Sequence, residues 1–387
     1  MGPIEDRVMP LRAHQICNGL GAGNIGDELM ARAFWDALPA GLRLTVDVLP
    51  NYERQREPYP EAHEYVALDW DGGPVAPAPA VPGLLVGDTP VTESLGLDWP
   101  LRFLAPRLRA FHAAGQPVDA LGVGLEPLCS SEARAIFARD FHPIRSWTVR
   151  SEPCRAALLA LGVSEDRVVV GADWAWLYRP RRDLKGAMGN TWARLGVEPG
   201  RPLLVVNVVN EIWRDRGDIK AALAAALDEL TGAHGFEVAF FCNEVREGEF
   251  FDLAAARETQ ALMKTRSVVV PHLYWAPDEA LGLLSHAAVT LGGRYHFIVE
   301  SVLAGVLPVG VARSEKVRGL FEELGLEPAG TMQALEPGRV VEQVLAAVRD
   351  REALADRLAG ARKRLAERAA GNLRLVQRYW GHATSRE

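Results

Sequence analysis

Short apolar runs and longer segments with apolar positions at helical spacing alternate along this chain. In the first half the runs fall at 13–19, 43–49, 83–88, 118–124, 146–151 and 167–173, with helical patterns at 27–38, 100–114, 131–140 and 153–161. The runs lack period-2 alternation, which suits strands buried on both faces. After an Arg-, Gly- and Pro-rich stretch at 179–202 the pattern restarts, with runs at 203–210, 237–243, 267–273, 287–293 and 306–312. This rhythm predicts an α/β fold of two Rossmann-like doubly wound parallel-sheet domains facing a cleft. The N-terminal domain is expected over 1–180, a linker over 181–202 and the C-terminal domain over 203–365. Scattered Ala, Leu and Val over 336–381 predict helix, and its end, 366–387, is expected to pack back on the first domain. The string "DGGPVAPAPAVPG" (71–83) predicts an extended, solvated loop.

Composition narrows the class. With 387 residues the chain can build two cores, and 48% hydrophobic with 24% charged residues is ordinary for a soluble globular protein. A formal charge of -7 supplies no global basic field, so nucleic acid is not an expected partner and membrane contact would be peripheral at most. No apolar run approaches the roughly 18 residues of a membrane span. Cys17, Cys129, Cys154 and Cys242 form no CxxC pair, which suits a reduced, cytoplasmic protein without structural zinc. With no HxH, no HxxxH and no clustered carboxylates, neither a metal nor a cofactor is called for.

The candidate chemistry begins at "GAGNIGDELM" (21–30), a glycine-rich turn between a strand and a helix. It is neither the dinucleotide fingerprint nor a Walker loop. Two readings stand here. Gly23, Asn24, Gly26 and Asp27 present amides at a helix N-terminus to an anionic or acceptor group, or Asn24 and Asp27 merely cap the helix. In "GGRYHFIVES", Arg294 and His296 are expected at a C-terminal sheet edge, where doubly wound folds bind ligands. Arg294 offers a planar fork for a carboxylate or phosphate, and His296 can exchange a proton near neutral pH. Arg150 in "TVRSEP" leaves a strand toward the cleft; its alternative is a salt bridge to Glu152 or Asp140. Lys316 opens a helix in "SEKVRG" and offers a point charge, and Asp173 ends a strand in "GADWAW". Trp174, Trp176 and His14 read as core.

Taken in order, "GNIGDELM", "LGVGLEP" (121–127), "WTVRSEPCRAALLALGV" (147–163), "VVVGADWAWLY" (168–178), the long segment from "YWAPDEALG" to "VLPVGV" (274–311) and "SEKVRGLFEELGL" (314–326) resemble the polysaccharide pyruvyl transferase family. The resemblance covers most of the chain and implies a GT-B fold. It also implies transfer of the enolpyruvyl unit of phosphoenolpyruvate, a co-substrate, onto sugar hydroxyls of a cell-surface glycan precursor, forming a pyruvate ketal. Such an acceptor is lipid-linked or nucleotide-linked, and the enzyme would work in the cytoplasm or at the inner face of the membrane, with a homo-oligomer left open. His296 is then the general acid/base, Asp173 its orienting partner or a proton acceptor, and Arg294, Arg150 and Lys316 the donor clamp. One departure matters: many members carry a Gly-Gly-Gly run after the third strand, whereas this chain has "LVGDTPV", placing Asp88 and Thr89 in that loop. If the loop shapes the acceptor pocket, the acceptor is unusual. Two alternatives remain. Glu300, beside Ser301 in "VESVLAGVLPVGV", resembles the acidic segment with which GT-B glycosyltransferases hold a nucleotide-sugar ribose; the altered 87–89 loop would also suit a catalytically silent carbohydrate-binding relative.

Overall fold

A computed structural model describes residues 12–17, 19–71, 80–210 and 219–374. Among these, the apolar runs build two sheets. The first comprises β1 (Arg12–Ile16), β2 (Arg43–Val48), β3 (Glu64–Ala67), β4 (Gly83–Val86), β5 (Val118–Val123), β6 (Ser146–Val149) and β7 (Val168–Val170), in the order β3-β2-β1-β4-β5-β6-β7. The second comprises β8 (Leu203–Asn207), β9 (Glu237–Phe240), β10 (Val268–Val269), β11 (Val289–Gly292), β12 (Pro308–Ala312) and β13 (Gly330–Thr331), in the order β10-β9-β8-β11-β12-β13. Every named pair is parallel. Both sheets reverse their winding beside their first strand, at β1/β4 and β8/β11, and such switch points open a ligand crevice at the strand C-termini.

The strands stop short of the apolar runs because the chain leaves the sheet to build the cleft. Thus β7 ends at Val170, and Asp173 caps the short helix Trp174–Leu177 by accepting from Ala175 N at 2.9 Å. The half-exposed edge strand β3 and the two-residue β13 carry no apolar run to betray them. Within 181–202 lies the helix Lys185–Arg194, whose buried Trp192 donates to Leu283 O at 3.1 Å. The span predicted as one helix from 336 is two, Pro337–Arg349 and Arg351–Ala370, interrupted at Asp350; residues beyond 374, like most of the Pro-rich loop, lie outside the described residues. The second of these helices reaches the first sheet: Arg368 donates to Gly171 O and Arg150 O, and Asn372 to Ala172 O.

One apolar core runs through both halves, joining Ile25, Phe34, Trp174 and Tyr178 to Val205, Leu291 and Phe297; a second fills the other face of the first sheet. Trp174 is wholly buried, edge-on to Phe34 at 5.1 Å, with its indole N–H donated to Leu121 O, and Trp176 is buried too. His14 is held by Asp47 at 2.9 Å. The loop before the helix Ile25–Ala37 seals the junction: Val245 N donates to Gly23 O at 2.9 Å, and Ile25 N to Asn243 O at 3.0 Å. Gly23 has φ 97°, and a β-carbon there would sit 2.2 Å from Val245 Cγ2. Glycine is needed on both counts.

Gly23→Ala should therefore cost about 1–3 kcal/mol, the usual range for overpacking, in urea unfolding. Gly41→Ala, with φ 86° but no neighbour within 4 Å, is the control and should lose less. Equal losses would show that the junction yields freely.

Candidate active site

Strand ends of both sheets converge on His296. It follows β11 in the helix Tyr295–Leu303, and its ring lies against the N-terminal turn of Ile25–Ala37. A β-carbon on Gly26 would be 2.2 Å from His296 Nδ1, so this glycine makes room for a ring from the other domain. On its other side, His296 Nε2 is buried, faces Asp173 Oδ2 at 3.4 Å, and makes no hydrogen bond of good geometry. Burial pushes the Asp173 carboxyl up, but the His296 ring, Arg150 and the Ala175 amide outweigh it and hold its pKa below the usual carboxylate value.

Arg150, just past β6, is buried over Gly124, where a β-carbon would meet its guanidinium at 2.4 Å. Its Nη2 donates to Thr89 Oγ1 at 3.1 Å, its Nη1 lies 3.5 Å from Asp173, and it stacks on the Tyr295 ring at 4.4 Å. The salt bridge envisaged to Asp140 or Glu152 is absent. Asp140 is held by Arg139 and Arg109, and Glu152 lies near Arg155. Asp173 takes Arg150 instead because β6 and β7 are neighbours in the sheet. Half-buried Lys316 lies 3.9 Å from Glu126. Burial lowers its pKa; Glu126 and Asp88 oppose this, while Arg150 and Arg313 reinforce it. Three cations thus share one wall of the cleft.

An acidic pair adjoins these cations. A β-carbon on Gly19 would lie 2.8 Å from Asp27 Oδ2 and 3.2 Å from Asp88 Oδ2, so both carboxylates flank one point. Burial, then Asp88 and Glu244, push Asp27 well above the usual carboxylate range. Burial raises Asp88 as well, against the pull of Lys316. Asp88 has φ 54° and follows Gly87 at φ 66°. The "LVGDTPV" loop thus retains a glycine-like left-handed backbone, which Asp tolerates better than most residues, while adding a carboxylate.

The remaining candidates point elsewhere. Both Nε and Nη2 of Arg294 bind Asp252 Oδ1, at 2.8 and 2.5 Å, and Asp252 Oδ2 accepts from Asn207 and Asn243. This commits the fork to a protein carboxylate. Glu300 is fully buried, accepting from Asn243 Nδ2 at 2.6 Å, and burial raises its pKa. Ser301 accepts from Thr290 and donates to Phe297 O, facing its own sheet. Asn24 Oδ1 accepts from Gly26 N at 2.9 Å, so the capping geometry is present, and the amides of Ile25, Gly26 and Glu28 all have protein acceptors. Asp252, Asn243, Glu244, Arg246 and Arg313 escaped the sequence reading; they lie in the segment after β9, at the start of the helix Asp252–Leu262 and just past β12, with no local motif to mark them. Among the described residues no group of three His, Cys, Asp or Glu side chains could hold a metal, and no helix is long and apolar enough to cross a membrane.

A family model described as polysaccharide pyruvyl transferase matches residues 24–315, from the capping Asn24 to the helix of Lys316. The chain belongs to the polysaccharide pyruvyl transferase family. No curated protein sequence matches it. Among solved structures, Anabaena HepE in complex with UDP and glucose is similar at 11% identity and TM-score 0.60, covering 96% of this chain and 100% of that one. MnaA of S. aureus with UDP gives 11%, 0.60, 96% and 97%, and WaaG, a glycosyltransferase involved in lipopolysaccharide biosynthesis, gives 11%, 0.52, 93% and 98%. At such identities the likeness establishes the fold, which is GT-B. Membership with this fold identifies a transferase acting on polysaccharides.

The acidic pair has a stability signature. A carboxyl whose folded pKa is raised stabilises at low pH and loses that contribution as pH rises through the folded pKa. Asp27→Asn in this pyruvyl transferase family member should therefore raise Tm at pH 7–8, with the gain vanishing near pH 4, where the wild-type group is also neutral. A fall in Tm at pH 8 would mean that the charged carboxylate is well solvated.

Proposed function

We propose that this enzyme transfers the enolpyruvyl unit of phosphoenolpyruvate onto two hydroxyls of a sugar in a glycan precursor, closing a pyruvate ketal. The observation that carries this reading is His296 of the second domain, seated on Gly26 of the first and backed by Asp173. An acid/base held by both domains works on a donor and an acceptor brought together in the cleft. Asp173 faces Nε2 at 3.4 Å, and Gly26 seats the other edge of the ring, so both fix the orientation of the imidazole. Arg150 and Lys316, with Arg313, suit the donor's carboxylate and phosphate.

His296 gives a proton to the methylene carbon, and the first sugar hydroxyl adds to the adjacent carbon, losing its proton to the Asp27/Asp88 pair. The bond between that carbon and the phosphate ester oxygen then breaks, and phosphate leaves with the ester oxygen and that proton. The second hydroxyl then closes the ketal and its proton restores His296. The balance is phosphoenolpyruvate plus a diol to ketal plus inorganic phosphate, with no cofactor in the sequence. A lipid-linked acceptor would place the enzyme at the inner face of the membrane; a nucleotide-linked one would not require it. The nucleotide-sugar reading is less well supported, because the carboxylate meant for a ribose, Glu300, is buried against Asn243.

Phosphoenolpyruvate, and not UDP, should raise Tm. His296→Gln should keep that shift while cutting phosphate release by roughly 10²–10⁴, the usual contribution of a general acid/base. Near-normal turnover would remove His296 from the chemistry, and stabilisation by UDP alone would favour glycosyl transfer.

A further inference from the structure

Beyond the acidic pair lies a large exposed aromatic residue that neither the fold nor the proposed chemistry uses. Trp70, in the loop after β3, is 45% exposed. Across the gap, Arg246 of the second domain holds its guanidinium over the Trp70 ring at 5.7 Å and over Phe251 at 4.9 Å. Nε and Nη2 of Arg246 are fixed on the two oxygens of Glu244, at 2.5 and 2.6 Å, which leaves Nη1 without a protein acceptor among the described residues. Glu244 bridges to Asn24, and both Glu244 and Arg246 lie within electrostatic range of Asp27. A continuous line therefore leads from Trp70 through Arg246 and Glu244 to the carboxylate pair.

We infer that Trp70, with Arg246 and Phe251, forms a subsite for a pyranose ring of the acceptor, resting on the reading that the acceptor is a glycan. The open face of Trp70 takes the C–H face of the ring, since an indole offers a large rigid apolar surface with little entropy to lose on contact. Arg246, over the other face, backs the indole and holds it in place, and Glu244, gripping two of its guanidinium nitrogens, fixes that cation. A subsite of this kind sets which sugar lies next to Asp27 and Asp88, because only rings with a clear C–H face can stack. Trp70 comes from the first domain and Arg246 and Phe251 from the second, so the subsite draws on both.

The test uses the full chain without phosphoenolpyruvate and follows three probes by saturation-transfer NMR: methyl β-galactopyranoside, methyl α-glucopyranoside and N-acetylmannosamine. At least one should bind with saturation concentrated on the protons of one ring face. Trp70→Ala should weaken it about tenfold, as for a lost aromatic contact, while Trp70→Phe keeps most of the affinity. Equal binding by Trp70→Ala and wild type, or no binding of any probe to wild type, overturns the subsite. The phosphoenolpyruvate-induced Tm shift, measured on the same variants, should be unchanged by Trp70→Ala; if that substitution abolishes the shift, Trp70 acts on the whole cleft and the subsite is again overturned. Absence of the shift in wild type, with Trp70-dependent sugar binding intact, would instead defeat the pyruvyl donor and leave the subsite standing.

Discussion

Everything in the cleft depends on how closely two backbones and a ring can approach at the start of the helix Ile25–Ala37. Gly23 lets the chain from Asn243 to Val245 lie against the loop, and Gly26 lets the His296 ring lie on the first helical turn. A methyl group at either place would hold the domains apart. The loop's glycines thus serve a contact between protein parts, and they provide it where the chemistry is proposed to occur. Stability and geometry of the site are consequently one property.

Charge is arranged around that contact by the same logic. Asp173 is wholly buried yet stays acidic, because Arg150 and His296 face it; removing either would leave a buried carboxylate uncompensated, the costly way to break a buried pair. Asp27 and Asp88 meet at one point; burial raises both, Asp88 and Glu244 also repel Asp27, and Lys316, His296 and Arg150 only partly pull Asp88 back. Arg294 illustrates the opposite case: satisfied by Asp252, it anchors a network at the ends of β8 and β9 and holds the segment that meets Gly23.

The strand rhythm, the parallel sheets and the two-fold repetition of α/β structure were legible in the sequence because they follow from local periodicity and the absence of alternation. "GNIGDELM" and "GGRYHFIVES" were legible as strand-to-helix turns, and the structure brings the two together where the His296 ring lies on Gly26. The edge strands β3 and β13 were not legible, being short and half-exposed, and neither was the break at Asp350.

What the sequence determined by itself, then, is an α/β chain of two similar halves, with Arg150, Asp173, His296 and Lys316 each at a strand or helix end. Which of them meet was decided only in three dimensions. Asp173 faces Arg150 because β7 pairs with β6, whereas Arg294, two residues from His296, turns to Asp252 because β11 lies beside β8. Asp27 and Asp88 became a pair because the loops after β1 and β4 are adjacent at the switch point of the first sheet. Local pattern sets where a side chain leaves the backbone; sheet order and domain contact set its neighbours, and neighbours set protonation and chemistry.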